Sequence, residues 1–303
     1  MNLSQFELLC EVARVKSFSK AAKLLHLSQP AVSAQINSIE DFYGTQLFER
    51  SSSGVTLTEA GKIVYSYAKE ILKLHEALEK EVDALLRTEN QKLVIGASSN
   101  VGNYALPCTI WTFKEKYPSA EIQQVVNNTD TILNMLKNDQ IDIAILEEPM
   151  SNFTDDFVTR TVSNDELLVI APPREPWINR TTITLHELKK APLIMREKGS
   201  GIRRIFEEAL ASWGLKLDEF NVKAEMSSIN AIKSTVEAGL GLSISSRIAC
   251  RTAIRAGLIH PLTIEGKSIK INYQLVFKTK KPFNITGKRF IRFLAGPGDP
   301  LFC

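Results

Sequence analysis

The chain is poor in the residues that mark stapled, metal-bound or fibrous proteins. Its 303 residues include only 4 cysteines and 4 histidines. Cys10, Cys108, Cys250 and Cys303 stand far apart with no C-x-x-C pair, as expected of reduced thiols rather than a disulfide framework. His26, His75, His186 and His260 are equally scattered, and none has a His or Cys neighbour at ligand spacing, so no metal site is expected. With 15 glycines and 12 prolines, the collagen-like and low-complexity classes are excluded. No apolar run approaches the roughly 18 residues that a membrane span needs. The N-terminus lacks the basic stretch, apolar run and small-residue cleavage site of a signal peptide, so a cytoplasmic location is expected.

Enzymatic signatures are missing too. There is no G-x-S-x-G nucleophile elbow. Gly199-Ser-Gly201 lacks the third glycine of a dinucleotide loop, because position 204 is arginine. Asp142 and Glu147-Glu148 flank a strand-like run, but without a partner nucleophile or metal motif they read as caps or cleft lining rather than an acid–base pair. Neither catalysis nor a cofactor is expected.

What is present is ordinary globular material, 44% hydrophobic and 23% charged, in a chain long enough for more than one core. The net charge of +3 is unevenly spread. Residues 1–91 hold 10 Lys and Arg against 12 Asp and Glu, whereas residues 92–303 hold 27 against 22.

The opening reads as three short helices. Ser4-Gln-Phe-Glu7 has the form of a capping box, with Phe6, Leu9, Val12 and Ala13 following at helical spacing. Ser19 is the expected cap of a second helix near 20–26, which would bury Ala21, Ala22 and Leu25. Pro30 suits the first turn of a third, along which Val32, Ile36, Ile39 and Tyr43 form a stripe until Gly44. Another face of that helix carries Gln29, Ser33 and Asn37 at four-residue spacing. Short uncharged donors and acceptors of this kind suit base edges in a DNA major groove. Residues 47–57 read as a two-stranded wing in which Arg50 is the one cation, placed for phosphate or the minor groove. Thr58 then caps a helix of about residues 58–88. Val64, Tyr67, Ile71, Leu74 and Leu78, followed by Val82 and Leu85, mark a heptad seam that suits a dimer helix.

The blocks Ala21-Ala-Lys-Leu-Leu-His-Leu-Ser-Gln-Pro-Ala-Val-Ser33, Leu47-Phe-Glu-Arg50 and Leu57-Thr-Glu-Ala-Gly61 resemble, in order and spacing across residues 1–65, the winged helix–turn–helix of the LysR-type transcriptional regulators. The resemblance implies a dimer or tetramer with paired linker helices, an operator that is an interrupted dyad, and a two-lobed effector domain similar to periplasmic binding proteins. Family members often carry basic residues at the positions matching Ala34, Asn37 and Ser38, where this chain has none.

From Lys92 short apolar runs alternate with helical stretches, which implies α/β architecture with mostly parallel sheets. Strands are expected at 92–97, 121–126, 141–146, 166–171, 193–196, 222–226, 242–245 and 271–278. Helices are expected at 103–117, 130–138, 202–213, 229–239, 246–256 and 284–294. The resemblance implies crossovers near 162–166 and 265–269, giving one lobe of 92–162 plus 269–303 and another of 163–268. Ser98-Ser99-Asn100, Asn128-Thr129, Gly199-Ser200-Gly201 and Ser227-Ser228 sit at strand-to-helix turns, where open α/β sheets bind ligands. Taken singly, each reads as a plain helix cap. Together they, with Arg196 and Arg203, suit a small anion.

The sequence thus points to a winged helix–turn–helix at 1–57, a linker and dimerisation helix at 58–91, and an effector-binding domain at 92–303. Gln29, Pro30, Ser33, Gln35, Asn37 and Arg50 are the expected DNA contacts. Ser98, Ser99, Asn100, Thr129, Arg196, Gly199, Ser200, Arg203 and Ser227 are the expected effector contacts. The partners would be double-stranded DNA, a small anionic effector and a second copy of the chain. One rival is a solute-binding module whose N-terminal helices only dimerise, without specific DNA binding. Another is an α/β enzyme with a helical arm.

Overall fold

The computed structural model describes residues 1–25, 27–51, 54–85, 92–147 and 155–294. One compact unit spans residues 1–91, and a second is built mainly from Lys92–Phe290. No helix is long and apolar enough to cross a membrane among the described residues.

The first unit consists of α1 (Leu3–Val15), α2 (Phe18–Leu24), α3 (Gln29–Tyr43), the hairpin of β1 (Phe48–Ser51) and β2 (Gly54–Leu57), and α4 (Glu59–Leu85). Two caps differ from the sequence expectation. The Asn2 side chain, not Ser4, caps α1, in a reciprocal capping box with Gln5. Asn2-x-x-Gln5 fits the same pattern two residues earlier and lengthens the helix. Ser17 Oγ, not Ser19, accepts from Lys20 N–H at 3.2 Å before α2. That start brings Phe18 into the core, edge-on to Phe48 with ring centroids 5.8 Å apart. Leu9, Val12, Ala21, Val32, Ile36, Ile39 and Leu47 complete this core. Burying one such side chain contributes about 1.5–3 kcal/mol.

Ser28 caps α3, with Pro30 in its first turn and Gly44 ending it in a left-handed conformation. The Glu40 carboxylate accepts from the N–H groups of Leu47 and Phe48, at 2.7 and 3.1 Å, and so ties α3 to the start of the wing. Thr58 Oγ1 donates to Gln46 O at 2.8 Å and accepts from Gly61 N–H at 2.9 Å, which caps α4 and anchors it behind the wing. The tip of the wing, residues 52–53, lies outside the described residues.

The second unit holds one ten-stranded mixed sheet folded as two lobes. Lobe one contains β3 (Lys92–Ser98), α5 (Ser99–Tyr104), α6 (Leu106–Lys116), β4 (Glu121–Asn127), α7 (Thr129–Lys137) and β5 (Ile143–Glu147). Lobe two contains β7 (Thr182–Ile183), α8 (Leu185–Lys190), β8 (Leu193–Arg196), α9 (Gly201–Ser212), β9 (Val222–Met226), α10 (Ile229–Glu237), β10 (Leu242–Ser246), α11 (Arg247–Arg255) and β11 (His260–Ile264). β6 (Phe157–Ala171) passes through both lobes. β12 (Lys270–Lys278) and α12 (Ile285–Leu294) return the chain to lobe one.

β6 pairs with β12 as far as Glu166 and with β10 from Leu167 onward. At that crossing Leu167 N–H donates to Ile269 O at 2.9 Å, joining the two segments that connect the lobes. The Asp165 carboxylate accepts there from Tyr273 Oη–H at 3.0 Å and from Ile248 N–H at 3.1 Å.

Four further expectations need correction. The sheet is less parallel than the pattern implied, because β12 runs antiparallel to β5 and β6, and β6 runs antiparallel to β10 and β11. β6 begins nine residues before the expected 166, since its first half is polar and shows no apolar run. The helix expected at 103–117 is two helices, because Pro107 has no N–H and can stand only in the first turn of α6. Among the cysteines, Cys10 and Cys250 are free thiols and Cys108 is disulfide-bonded, against the expectation of reduced thiols throughout.

Candidate functional site

Two sets of residues singled out in the sequence lie in the two units. In the first, α3 presents Gln29, Pro30 and Asn37 as exposed residues and Ser33 as half-buried. Gln29 Nε2 donates to Ser33 Oγ at 3.2 Å, so these two side chains form one polar unit on the helix face. Asn37 continues the row and borders a pocket of about 310 Å³ with Phe18, Glu40, Gln46 and Phe48. Gln35 is not part of that row. It lies about 200° around the helix from Ser33, on the far flank of the buried stripe. Arg50 sits in β1 opposite Val55; its side chain lies outside the described residues.

The linker helix exposes a row of large apolar side chains. Ile63, Tyr67, Leu74 and Leu78 are 61%, 63%, 72% and 57% exposed, with Ile71 and Val82 also on the surface. Val64, expected in this seam, instead packs on the core of its own unit, and Ile63 takes its place. The spacing of 64 and 67 fits a heptad as well as that of 63 and 67, so sequence could not choose between them.

In the second unit the turns after β3 and β8 and before α7 meet the end of β5 between the lobes. Ser98, Ser99, Asn100, Asn128, Thr129, Glu147, Arg196, Ser200, Gly201 and Ile202 line one pocket, closed too tightly to admit a water-sized sphere. Thr129 Oγ1 of lobe one accepts from Gly201 N–H of lobe two at 3.1 Å. Asp130 N–H donates to Gly199 O at 3.3 Å. The Asp130 carboxylate pairs with Arg204. A Cβ at Gly201 would come within 2.4 Å of Glu147 O and 2.8 Å of Thr129 Oγ1, so only glycine allows this approach. Elsewhere between the lobes, Tyr104 Oη–H donates to Asn230 Oδ1 at 2.8 Å, and Lys233 Nζ lies 4.6 Å above the Tyr104 ring.

The structure separates capping residues from the rest. Asn128 and Ser228 cap α7 and α10 with their side chains. Ser98 and Ser200 precede helices yet make no side-chain cap bond. Ser98 Oγ, Asn100 Nδ2 and Glu147 Oε1 are buried without a hydrogen-bond partner. A buried unpaired polar group costs about 1–3 kcal/mol, and all three of these lie in one pocket. Glu147 is 1% exposed, and burial pushes its carboxyl above the ordinary 4.5, while the donors of Ser98, its own backbone and Asn100, with the charge of Arg196, pull the other way. Asp142, at the other end of the same strand region, is a structural group. It accepts from Val94 N–H at 2.8 Å and pairs with Lys281 at 2.9 Å.

Several expected effector residues are placed otherwise. Arg196 borders the pocket, but its guanidinium is engaged by Glu197 at 2.8 and 3.0 Å. Arg203 is turned away from the pocket. It donates to Arg196 O at 3.0 Å and pairs with Glu207 and Glu225, both at 2.8 Å. Ser227 is exposed outside the pocket, and Ser99 Oγ donates to Asn127 O at 3.3 Å. Sequence reasoning placed Glu147 at a strand end, and the burial that distinguishes it from Asp142 is tertiary. Because Arg203 holds β8, α9 and β9 together, Arg203→Ala is expected to lower unfolding stability by about 2 kcal/mol, read by denaturant unfolding. Full stability of that variant would show that its ion pairs contribute nothing to the fold.

Comparisons with known proteins agree with this two-part arrangement. Residues 3–62 match the family model of the bacterial regulatory helix-turn-helix protein, lysR family, and residues 87–296 match the LysR substrate binding domain. The chain is 34% identical over 294 residues to the HTH-type transcriptional activator CmpR of Synechocystis sp., covering 96% of this chain and 94% of that one. It is also 34% identical over 269 residues to a probable RuBisCO transcriptional regulator of Porphyra purpurea, covering 88% and 85%. Among solved structures, CbnR complexed with its target DNA is similar in fold, with a TM-score of 0.56 at 21% identity over 97% of this chain and 99% of that one. The Synechocystis CcmR regulatory domain in complex with 2-PG is similar to 67% of this chain and covers 95% of its own, with a TM-score of 0.60 at 24% identity. The N-terminal helix–turn–helix and the two-lobed domain that follows it therefore belong together as parts of one molecule, and the chain belongs to the LysR family of transcriptional regulators.

Proposed function

We propose that this regulator responds to a small anion bound between the lobes of its effector domain. The observation that carries the reading is the convergence of Ser98, Asn100, Thr129, Glu147, Arg196 and Ser200 in one buried pocket where three polar atoms lack partners. Hydroxyl and amide donors at the starts of α5, α7 and α9 favour negative charge. The excess of 27 basic over 22 acidic residues in 92–303 agrees with an anion, as does the 2-PG complex of the CcmR regulatory domain. Gly199 and Ser99 border the same place and would position the chain around the ligand. The ligand acts by binding one arrangement of the lobes more tightly than another, since only differential affinity shifts such an equilibrium.

On the DNA side, α3 enters the major groove with Gln29, Pro30, Ser33 and Asn37 towards the bases and Arg50 on phosphate or in the minor groove, while Gln35 faces away from the groove. The operator is an interrupted dyad read by two copies of the chain. The copies pair through the exposed row Ile63, Tyr67, Ile71, Leu74, Leu78 and Val82, whose steps of three and four residues are those of a self-complementary heptad seam.

A footprint on the DNA upstream of the chain's own gene, with and without a panel of small anions, tests the whole reading. Protection of two half-sites that shifts with one anion is the expected result; no protection at low salt, where phosphate contacts are strongest, would remove the operator assignment at that locus. Ser33→Ala is expected to weaken operator binding about tenfold while leaving non-specific DNA affinity unchanged. Thr129→Ala should blunt the anion-dependent shift without unfolding the protein; an unaltered shift would count against the cleft. Leu74→Glu is expected to raise the dimer dissociation constant at least about a hundredfold by sedimentation, and an unchanged mass would place the dimer elsewhere.

A further inference from the structure

Glu147 is at odds with an anion site, and that conflict is informative. It ends β5 in lobe one, is 1% exposed, and has Oε1 without a partner in the pocket proposed to take the effector. A Cβ at Gly201 would lie 3.1 Å from its Oε2, so the carboxyl group also reaches the first residue of α9 in lobe two. An ionised carboxylate there would repel an incoming anion in a medium of low dielectric.

We propose that Glu147 is a binding residue of the cleft and meets the effector as an uncharged carboxylic acid, donating its proton in a hydrogen bond to an anionic oxygen. This inference rests on the interlobe reading above and deepens it. It makes the unpartnered groups of the pocket donors alike: the hydroxyl of Ser98, the amide of Asn100 and the acid proton of Glu147. Such a lining selects ligands that present acceptors on every side, such as sulfate, phosphate or a phosphoryl ester.

The charged neighbours support a neutral Glu147. On β8, Arg196 is the cation that favours ionisation, but it is already engaged by Glu197. On α9, Arg203 is held by Glu207 and Glu225, and Arg204 is paired with Asp130 of α7. On β12, Tyr273 stands in register with Glu147, and its hydroxyl is donated to Asp165. No cation among these is free to hold Glu147 ionised; the donors of Ser98 and Asn100 favour its carboxylate, but burial outweighs them and raises its pKa. The proton therefore stays on the carboxyl as pH rises past the ordinary carboxylate range, and is lost only through the raised value.

The full-length protein and its Glu147→Gln variant, which keeps a neutral donor at the same place, provide the test. The infrared carboxylic C=O band present in the wild type and missing in Glu147→Gln reports the proton directly, separately from that of buried Asp165. Sulfate, which does not titrate between about pH 5 and 10, is the anion probe, read by the rise in unfolding temperature. The expected result is a Glu147 band at neutral pH, with sulfate stabilisation of the wild type that follows it. Where the band titrates away, sulfate affinity should fall about tenfold per pH unit, while the glutamine variant keeps its affinity throughout. The proposal is overturned by the absence of a Glu147 band at neutral pH, by a band that titrates without changing sulfate affinity, or by Glu147→Gln abolishing sulfate binding. If sulfate stabilises neither protein at any pH while the band is present, the anion reading of the cleft fails, and the proton belongs to the closed fold alone.

Discussion

The backbone of residues 157–171 must find hydrogen-bond partners along its whole length, and it finds them in two lobes. An unpaired strand backbone in the interior would cost too much, so the chain cannot separate its lobes without leaving this shared strand between them. The two-lobed form follows. β12 supplies partners up to Glu166, β10 and β11 supply them beyond it, and the crossing is fastened where Leu167 meets Ile269 and Asp165 meets Tyr273 and Ile248. The ends of β3, β5 and β8 then face one another across a narrow gap, which is where open α/β sheets bind ligands.

What fills that gap is polar in an unusual way for a buried surface. Most helix-start residues in this protein complete their own caps, as Asn128, Thr184, Ser228 and Ser246 do. Ser98 and Ser200 do not, and Asn100 and Glu147 lie beside them with unsatisfied atoms. Interiors tolerate few such groups, and their concentration between the lobes sets these residues apart from ordinary capping. The arginines that looked most suited to neutralise an anion both have protein partners, and only Arg196 borders the pocket. Arg203 braces β8 and β9, and Arg196 is paired with its sequence neighbour. In the reading proposed above, recognition in this cleft would lean on neutral donors more than on fixed positive charge.

The DNA-binding unit shows a parallel economy of charge. α3 carries no basic residue, and residues 1–91 are net acidic, 10 basic against 12 acidic. Its polar row is organised by a hydrogen bond between Gln29 and Ser33 rather than by ion pairs. Such a face suits reading of base edges better than bulk attraction to phosphate, which depends on cations facing the backbone.

Periodicity alone placed most of the elements, because apolar runs, the first-turn proline at Pro30 and the terminating Gly44 act through local chain geometry. The motif blocks of residues 21–61 fixed the family for the same reason: a tight helix–turn–helix constrains its residues one by one. Long-range pairing was invisible where the residues are mostly polar, as in the first half of β6, or where the run is short and holds a proline, as in β11. The site was legible as a list of turns but not as a site. Ser98, Asn100, Thr129, Arg196 and Ser200 converge, whereas Arg203 and Ser227 do not, and nothing in their local sequence separates them. Sequence determined the helices, the wing, the alternation of strand and helix and the turns that could hold a ligand. Tertiary structure decided which of those turns meet, that Val64 packs inward while Ile63 faces out, and that Glu147 is buried while Asp142 is paired, because burial and partners are set by chain segments far apart in sequence.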